Sequence, residues 1–380
     1  HQFSTTTKLN GEVIFAISDL FGGKAGSQAG NPDYRNTETV FQDRVRLNFD
    51  TSFTGKDRLR TRLQAGNITE FGPLRGPSGP GLNITREGRF GFQVDNGNNV
   101  AIEKLWYRFP IANAAVAHVF ANGGVFDDYV PLLNGPLDPS GTGALSRFGR
   151  YSPIYKLPGQ NAGAGLTIGP KSPIRVDLGY LSDTNANPGQ DNGIFNGNYT
   201  ALGQLTFQPS KRFSIAGTYV HTYNRTNLGT GNGSIASQLS VNRPVVGNSY
   251  GLEASFSLTP QFIISGWGAY TKGIVLNTGD ADIWTYGGTL ALTDIGSKGS
   301  ILGFVVGMEP KLTGSDRTVA AINGGRRDDP NTGLHIEGFY KFNLTKNIAI
   351  TPGVIWLTSP GHNDANDDIY IGTVRTTFTF

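Results

Sequence analysis

Arginine recurs at every second position in two neighbouring segments of the chain, VFQDRVRLNFD and DRLRTRLQ. The residues concerned are Arg44, Arg46, Arg58, Arg60 and Arg62. Side chains two positions apart lie on the same face of a β-strand, so each segment would present a row of guanidinium groups. Such rows require water, counter-ions or acidic partners, and where basic side chains surround a passage they select ions of opposite sign.

The two segments are separated by a short turn through residues 53–56, which predicts that they form a hairpin. Closing the hairpin there places Asp50 near Arg58 and Arg46 near Arg62. The first pair is favourable, whereas like charges directly opposite each other are destabilising. We therefore expect the remaining arginines to face water or acidic side chains from elsewhere in the chain.

Three further basic residues are expected to extend the same charged surface. Lys104 and Arg108 lie on the fourth predicted strand, and Arg375 lies on the last one. The alternation places Arg375 on the opposite face of its strand from Val374, Thr376 and Phe378.

The longest connection between predicted strands, residues 122–160, is expected to fold inward as a constriction. Its charged residues include Asp127, Asp128, Arg147 and Arg150, and several aromatic side chains could pack it against a wall. We expect Asp127 and Asp128 to face part of the arginine rows, producing a transverse field that sorts permeants by charge and dipole. The alternative is that the arginines only solvate a wide lumen while this connection caps it.

The elements that would position these residues are β-strands. Of 380 residues, 53 are glycine, 20 are proline and none is cysteine, while 37% are hydrophobic and 16% are charged. The missing cysteine excludes disulfides and thiolate sites, and no apolar run reaches the ~18 residues of a transmembrane helix. The net charge of +3 gives no indication that the protein binds nucleic acid.

Period-two alternation of apolar and polar residues recurs along nearly the whole chain, as expected of strands that are half buried. Short connections take turns with long ones rich in Gly, Asn, Pro and Asp. The long connections are residues 20–38, 70–98, 122–160, 183–197, 225–247, 273–281, 312–332 and 359–367. This predicts an all-β fold, one antiparallel transmembrane barrel over residues 1–380 with about sixteen strands from near Lys8 to Phe380, with all short turns at one end.

The spacing of aromatic residues along the outward faces can be compared with the thickness of a membrane. Three outward pairs are each eight positions apart: Tyr199 and Phe207, Phe262 and Tyr270, and Tyr370 and Phe378. Eight residues of a tilted strand climb about 21 Å, close to the ~25 Å apolar band of outer-membrane barrels. Tyrosine would lie beside the long loops and phenylalanine beside the short turns.

Several segments resemble a known family. The opening FSTTTKLNGEVIFAISDLFGG, the fragments LWYRFPIAN and NIAITPGVIWLTSP, and a last strand ending in phenylalanine resemble the cyanobacterial branch of the OprB-type carbohydrate-selective porins, also called iron-uptake porins. The resemblance covers essentially the whole chain. It implies a sixteen-stranded, homotrimeric barrel in the cell outer membrane, with short periplasmic turns, long extracellular loops and passive passage of small solutes or inorganic ions.

The resemblance also bears on both chain ends. In that branch a periplasmic S-layer-homology domain that grips the cell wall usually precedes the barrel, and this sequence carries none, so we expect the barrel portion of a longer precursor. Phe380 resembles the C-terminal signal that the barrel-assembly machinery reads.

Catalytic and metal chemistry find little support in the sequence. The five histidines are scattered with no nucleophile motif nearby, so we expect no enzyme. They are His1, His118, His221, His335 and His362. His362 with Asp364, Asp367 and Asp368 could hold a hard cation, although a solvated acidic loop is favoured, and the glycine-rich loops lack the context of a phosphate cradle. We therefore expect neither a metal site nor a cofactor.

The interpretation is a diffusion pore with an arginine-rich wall for small hydrophilic solutes and inorganic ions, iron among them. Two alternatives remain open at this point. One is a sugar-selective pore, and the other is a barrel plugged by its loops that serves as a structural or envelope-anchoring element.

Overall fold

The computed structural model describes residues 6–24, 33–71 and 84–380. Parts of two expected long connections, residues 25–32 and 72–83, lie outside the described residues, as does His1. The described chain folds into one continuous antiparallel sheet that closes on itself.

Sixteen strands form the barrel, and a seventeenth of two residues, β4, pairs with the end of β3. β1 pairs with both β2 and β17, which closes the barrel without a free edge. The prediction of about sixteen strands is confirmed. The strands are β1 (Thr7–Gly22), β2 (Val40–Thr51), β3 (Arg58–Ile68), β4 (Val94–Asp95), β5 (Ala101–Ile111), β6 (Ala115–Asn122), β7 (Ala162–Ile168), β8 (Ile174–Ser182), β9 (Tyr199–Ser210), β10 (Phe213–Asn224), β11 (Val245–Thr259), β12 (Phe262–Val275), β13 (Gly279–Thr293), β14 (Ile301–Ser315), β15 (His335–Asn343), β16 (Ile348–Leu357) and β17 (Ile369–Thr379).

The connections sort by length as predicted, with one exception. The hairpins at one end of the barrel are short, and most connections at the other end are long. The connection between β12 and β13 belongs to the second end but is a tight turn, because β12 continues to Val275 and β13 begins at Gly279. The expectation of a long loop over residues 273–281 is therefore wrong. Glycine and asparagine marked a turn there, and Asn277 adopts the left-handed conformation with φ 56°.

Lipid-facing and inward faces separate cleanly along the strands. Large apolar side chains stay exposed on the outer surface, among them Leu205, Leu252 and Val306. Aromatic rings form a girdle near the long-loop end, where Tyr250 lies 5.3 Å from Tyr219 and 6.5 Å from Tyr270, measured between ring centroids. This arrangement matches the interfacial aromatic belts of membrane barrels.

Helices are few and short among the described residues. One four-residue helix, α1 (Gly193–Asn196), lies in the connection between β8 and β9, and α2 (Arg317–Ile322) follows β14. No helix in the described ranges is both long enough and apolar enough to cross a bilayer.

The chain end is seated against the first strand. The amide of Gly11 donates to the carbonyl of Phe380 at 2.7 Å, and a Cβ at Gly11 would lie 2.2 Å from the Phe380 ring. A side chain at position 11 would therefore have to displace the Phe380 ring. The role of Phe380 in assembly stays a prediction.

The barrel interior is not empty. Residues 123–161, between β6 and β7 and called here the inner loop, lie inside with Phe126, Phe148 and Tyr155 fully buried. Part of the connection between β3 and β5 also lies inside, where Phe90 and Phe92 stack at 4.8 Å. Both connections occupy the lumen, as predicted for the first and unforeseen for the second.

Candidate functional site

The β2–β3 hairpin sets the register of the arginine rows. Its turn is held by the carboxylate of Asp57, which accepts hydrogen bonds from the amides of Phe53 and Thr54 at 3.0 and 2.8 Å. With this turn Asp50 pairs with Arg60. The predicted pairs, Asp50 with Arg58 and Arg46 with Arg62, are therefore wrong by two residues, because the turn is longer than residues 53–56.

The actual register separates like charges. Arg60 forms a two-pronged ion pair with Asp50, with both N–O distances 2.7 Å. Arg62 lies opposite Asn48 and donates to its Oδ1 at 2.7 Å, while Arg46 lies opposite Gln64 and donates to its Oε1 at 2.5 Å. The amide oxygens thus replace the unfavourable arginine pair that the sequence suggested.

The third strand of this surface is β5, whose facing was the least certain. Its register brings Lys104 opposite Arg62 and Arg108 opposite Arg58. Between them, the Arg58 guanidinium lies 5.0 Å from the centroid of the Trp106 ring, a cation–π geometry. We call the inward basic side chains of these strands the basic wall. Its members are Arg44, Arg46, Arg58, Arg60, Arg62, Lys104 and Arg108.

The inner loop is bonded to several strands of the barrel wall. Glu337 on β15 accepts from the amides of Leu145 and Ser146 at 2.7 and 3.2 Å. Thr289 on β13 donates to Asn134 at 2.6 Å, and further round the barrel Gln204 on β9 donates to the Pro131 carbonyl at 2.8 Å. The loop therefore covers the inner faces of β9, β13 and β15, and it also bonds to the basic wall through Ser140 and Asp128.

A buried histidine completes this attachment. His335 on β15 lies between two carboxylates, with Nδ1 2.8 Å from Glu309 and Nε2 3.0 Å from Glu337. Both ring nitrogens can donate only when the imidazole is protonated, so the geometry fits an imidazolium. Glu309 also accepts from the amides of Gly88 and Gly233, so this cluster ties three connections to the wall.

Two of the predicted pore-lining arginines are fully buried instead. Arg375 donates to the carbonyls of Ser140, Gly143 and Ala144 at 2.8 to 3.3 Å. Arg44 pairs with Glu12 at 2.5 Å and donates to Ser140 at 3.0 Å. Both have 0% exposed surface, so they anchor the inner loop and do not border water. The expectation that Arg44 and Arg375 lie at the lumen surface is therefore wrong.

The two acidic residues of the loop have different partners. Asp128 forms an ion pair with Lys104 and so faces the basic wall, as expected. Asp127 instead pairs with Lys156 of the same loop at 2.7 Å and accepts from the Tyr151 hydroxyl at 2.8 Å. Burial alone would raise the pKa of Asp127, but Lys156 and Arg150 hold it well below its ordinary value. Of the two acids, only Asp128 faces the basic wall, and its partner there is a lysine and not an arginine.

The loop arginines bond to carbonyl oxygens. Arg147 donates to the carbonyl of Thr230 at 2.9 Å, and Arg150 donates to that of Asp138 at 2.6 Å while its guanidinium lies 4.8 Å from the centre of the Tyr151 ring. The carboxyl of Asp138 is half buried, and burial raises its pKa to about 6 although Arg150 opposes the shift.

The charge balance of this region is uneven. Of the ten predicted basic residues, four have a carboxylate within 4.0 Å, and six have none among the described residues. The matched residues are Arg44, Arg60, Arg62 and Lys104. The unmatched residues are Arg46, Arg58, Arg108, Arg147, Arg150 and Arg375.

Sequence reasoning missed four charged residues of the site. Glu12 and Glu103 pair with Arg44 and Arg62, Lys156 pairs with Asp127, and Asp138 lies beside Arg150. Glu12 could have been found, since it shares the inward parity of Ile14 and Ala16 on β1. Glu103 could not, because a register irregularity after Arg62 turns it inward.

The histidine and carboxylates of the last long connection are occupied separately. His362 is buried and accepts from the amide of Gly333 at 3.0 Å, while Asp368 accepts from the Trp356 indole at 2.9 Å. Within the described ranges there is no cluster of three or more His, Cys, Asp or Glu residues placed to hold a metal ion.

One family model matches residues 1–380, that of the carbohydrate-selective porin, OprB family. The uncharacterized protein alr4550 of Nostoc sp. is 39% identical over 406 residues, covering 100% of this chain and 66% of that protein. The uncharacterized protein sll0772 of Synechocystis sp. is 33% identical, covering 100% of this chain and 70% of that protein. The chain thus spans about two thirds of the length of these relatives.

Solved structures share the fold. A high-pH structure of Pseudomonas putida OprB superposes with a TM-score of 0.63 at 13% identity, covering 99% of this chain and 94% of that one. An anion-selective porin from Comamonas acidovorans superposes with a TM-score of 0.56 at 12% identity, covering 99% of both chains. At these identities the likeness concerns the fold alone.

Proposed function

Because the chain belongs to the OprB family of carbohydrate-selective porins and forms an outer-membrane β-barrel, we propose that it is a diffusion pore that favours anions over cations. Its permeants would be small hydrophilic solutes and inorganic ions. The passage would run along the exposed part of the basic wall, beside the inner loop.

The observation that carries this proposal is the excess of unmatched guanidinium groups. Arg46 on the wall and Arg150 on the loop have no carboxylate within 4.0 Å among the described side chains, and both are partly exposed. A fixed positive charge attracts anions and repels cations along the whole passage. The solved porin from Comamonas acidovorans that shares this fold is described as anion-selective, which agrees with the proposal.

Carbohydrates are the second class of permeant. The family description names them, and neutral sugars need donors and acceptors along the wall rather than a net charge. Arg62 with Asn48, and Arg46 with Gln64, provide both kinds of group side by side. A sugar-selective pore and an anion-favouring pore are compatible, since the same guanidinium groups donate to hydroxyl oxygens.

The positive charge of the basic wall bears on the form in which iron would cross the pore. A bare ferrous or ferric cation is repelled by unmatched arginines, whereas a chelate with net negative charge is attracted. If iron is a permeant, we propose that it crosses as an anionic chelate.

The experiment is a measurement of reversal potential in a salt gradient with purified protein in planar bilayers. Wild-type protein should show a preference for chloride over potassium. Arg46→Gln and Arg150→Gln should each lower the ratio of chloride to potassium permeability. A charge about 8 Å from the ion contributes about 0.5 kcal/mol in water, and the ratio compares an attracted with a repelled ion, so roughly a two- to sixfold change is expected.

The control is Arg212→Gln. Arg212 lies in the β9–β10 turn and donates to the Ser257 and Leu258 carbonyls at 3.3 and 2.5 Å, remote from the passage. Equal ratios in wild type, both passage variants and the control would refute the proposal. Liposomes that do not swell with any solute would instead support the loop-plugged, structural alternative.

A further inference from the structure

A cavity of about 600 Å³ opens at the long-loop end of the barrel, between α1 and the ends of β9 and β10. Its lining includes Phe195, Tyr199, Tyr223 and Arg225. No step of the proposed permeation uses these residues, so the cavity requires a separate explanation.

The cavity lies on the outer surface and not in the lumen. Tyr199 and Tyr223 are opposite each other on β9 and β10, and their rings stack at 6.0 Å. The intervening Thr200 faces the other way, is fully buried and donates to the Pro158 carbonyl of the inner loop at 3.1 Å. Successive residues of a strand point to opposite faces, so the two tyrosines point away from the inner loop.

The height of the cavity is that of the lipid headgroups. Tyr199 and Tyr223 continue the aromatic girdle at the long-loop end, where such rings mark the membrane–water interface. Arg225 lies just beyond the end of β10 and lines the same cavity as Tyr223. A ligand in the cavity would therefore touch the aromatic rings with its lower part and Arg225 with its upper part.

The apolar side of the cavity is a row of rings. Phe195 is 79% exposed, and its ring centroid lies 5.9 Å from that of Tyr180. Tyr180 in turn stacks on Tyr199 at 5.5 Å and donates its hydroxyl to the Ile194 carbonyl at 2.7 Å, which fixes α1 and therefore Phe195. A rigid, exposed ring in this place suits the C–H face of a sugar or the start of an acyl chain.

The polar side of the cavity contains an arginine whose donors are only partly used. Arg225 donates from Nη1 to Asn192 at 3.1 Å, whereas its Nη2 is buried and has no hydrogen-bond partner in the part of the chain that is described. No described carboxylate lies within 4.0 Å of it. Guanidinium groups bind phosphate and carboxylate groups through two parallel hydrogen bonds. Asp191 and Gln190 at the rim supply acceptors for hydroxyl groups.

We propose that this cavity binds the headgroup of an anionic glycolipid of the outer leaflet. The anionic substituent lies on Arg225, the sugar ring lies against Phe195 and Tyr223, and the acyl chains continue along the lipid-facing surface. The position on the outer surface favours a lipid over a soluble sugar that enters the lumen. Aromatic rings and a basic side chain at one interface are the expected means of headgroup recognition.

The test uses the whole chain, purified in detergent, and lipopolysaccharide with a phosphorylated core as the probe. Bound glycolipid is measured by native mass spectrometry. We expect Arg225→Gln to bind at least about tenfold more weakly, as for the loss of a two-pronged phosphate contact. Phe195→Ala should weaken binding less, and Arg225→Lys should restore it only in part because a lysine lacks the planar fork.

The matched control is Arg326→Gln, an exposed arginine of the connection between β14 and β15, which should bind as wild type does. Single-channel conductance of Arg225→Gln should equal that of wild type, which verifies folding and separates this site from the pore. Equal binding by wild type and Arg225→Gln would overturn the proposal. So would wild-type binding of phosphatidylglycerol as tight as that of the glycolipid, or full displacement by an equal concentration of glucose 1-phosphate, which would indicate a soluble ligand.

Discussion

Two arginines of β2, separated by one residue, have different roles. Arg44 is completely buried and holds Glu12 and Ser140, whereas Arg46 is partly exposed and is matched only by the amide of Gln64 and a serine hydroxyl. Their facing is the same and their chemistry is the same. The difference comes from the inner loop, which covers one of them and leaves the other at the passage.

We expect Asp138 to make the ion selectivity of the passage depend on pH. Its pKa is raised to about 6, so it is ionised at pH 7.5 and largely protonated at pH 5. Acidification thereby removes one negative charge beside Arg150, and we expect the preference for anions to increase roughly twofold. Reversal potentials at the two pH values measure the change.

The variant Asp138→Asn separates this residue from other titrating groups. Asp127 and Arg150 are the charged groups that influence Asp138 most. The asparagine variant should have at pH 7.5 the selectivity that wild type reaches at pH 5, with little further change. A variant with the full wild-type pH dependence would show that Asp138 does not face the permeating ions.

At the scale of elements, the inner loop is attached mainly through side chains of the barrel wall. Glu337 has four hydrogen-bond contacts, with the amides of Leu145 and Ser146, the Ser146 hydroxyl and His335, whereas Glu253 on β11 contacts the loop only through the Tyr155 hydroxyl. Hydrogen bonds to charged groups contribute about 1.5–3 kcal/mol each. Substitution of Glu337 should therefore loosen the loop more than substitution of Glu253.

Glu337→Gln should loosen the inner loop and so increase the single-channel conductance and its current noise. Glu253→Gln should have a smaller effect in the same direction, because one side-chain contact is altered rather than four. Gel mobility before and after heating verifies that both barrels have folded. If the conductance of Glu337→Gln equals that of wild type, the loop does not limit the passage.

The turn between β12 and β13 shows how element boundaries can be misjudged. Residues 273–281 contain the Gly, Asn and Asp that elsewhere mark long loops, yet their pairing continues to Val275 opposite Gly279. Loop composition records which residues tolerate a turn and not how many residues the turn contains.

At the scale of the whole molecule, the homotrimer implied by family resemblance remains a proposal. The outer surfaces around residues 162–169 and 266–268 are rich in small residues and are candidate subunit contacts, and a Cβ at Gly268 would meet nothing within 4 Å. Small residues permit close approach of two subunits in lipid. Gly268→Trp should therefore leave the single barrel folded and prevent its assembly.

The molecular mass in detergent, measured by light scattering, tests this assignment. Wild type should have three times the chain mass of 40.7 kDa, and Gly268→Trp should have the mass of one chain. Gly338→Trp is the control on another part of the outer surface, where a Cβ would only touch Phe304 at 3.6 Å. A trimeric Gly268→Trp would place the subunit contact elsewhere, and a monomeric wild type would remove the trimer proposal itself.

The sequence by itself determined the barrel, its two ends, the aromatic girdle and the inward facing of the arginine rows. Those features depend on a period of two, because a strand with lipid on one side and a polar interior on the other offers each residue only two environments. The inner loop was identified by its length and aromatic content alone. Sequence also identified most of the basic residues of the site.

Only the tertiary structure decided which of those basic residues have a carboxylate partner. The partner of Arg60 depends on the length of a turn, and the partners of Arg44 and Glu337 come from the inner loop, 96 and 191 residues away in the chain. Such contacts produce no periodic pattern in the sequence, since they follow from how the loop packs within the closed barrel. The same packing buries Arg375 and leaves Arg46 and Arg150 without carboxylate partners among the described residues, and on that difference the proposed selectivity depends.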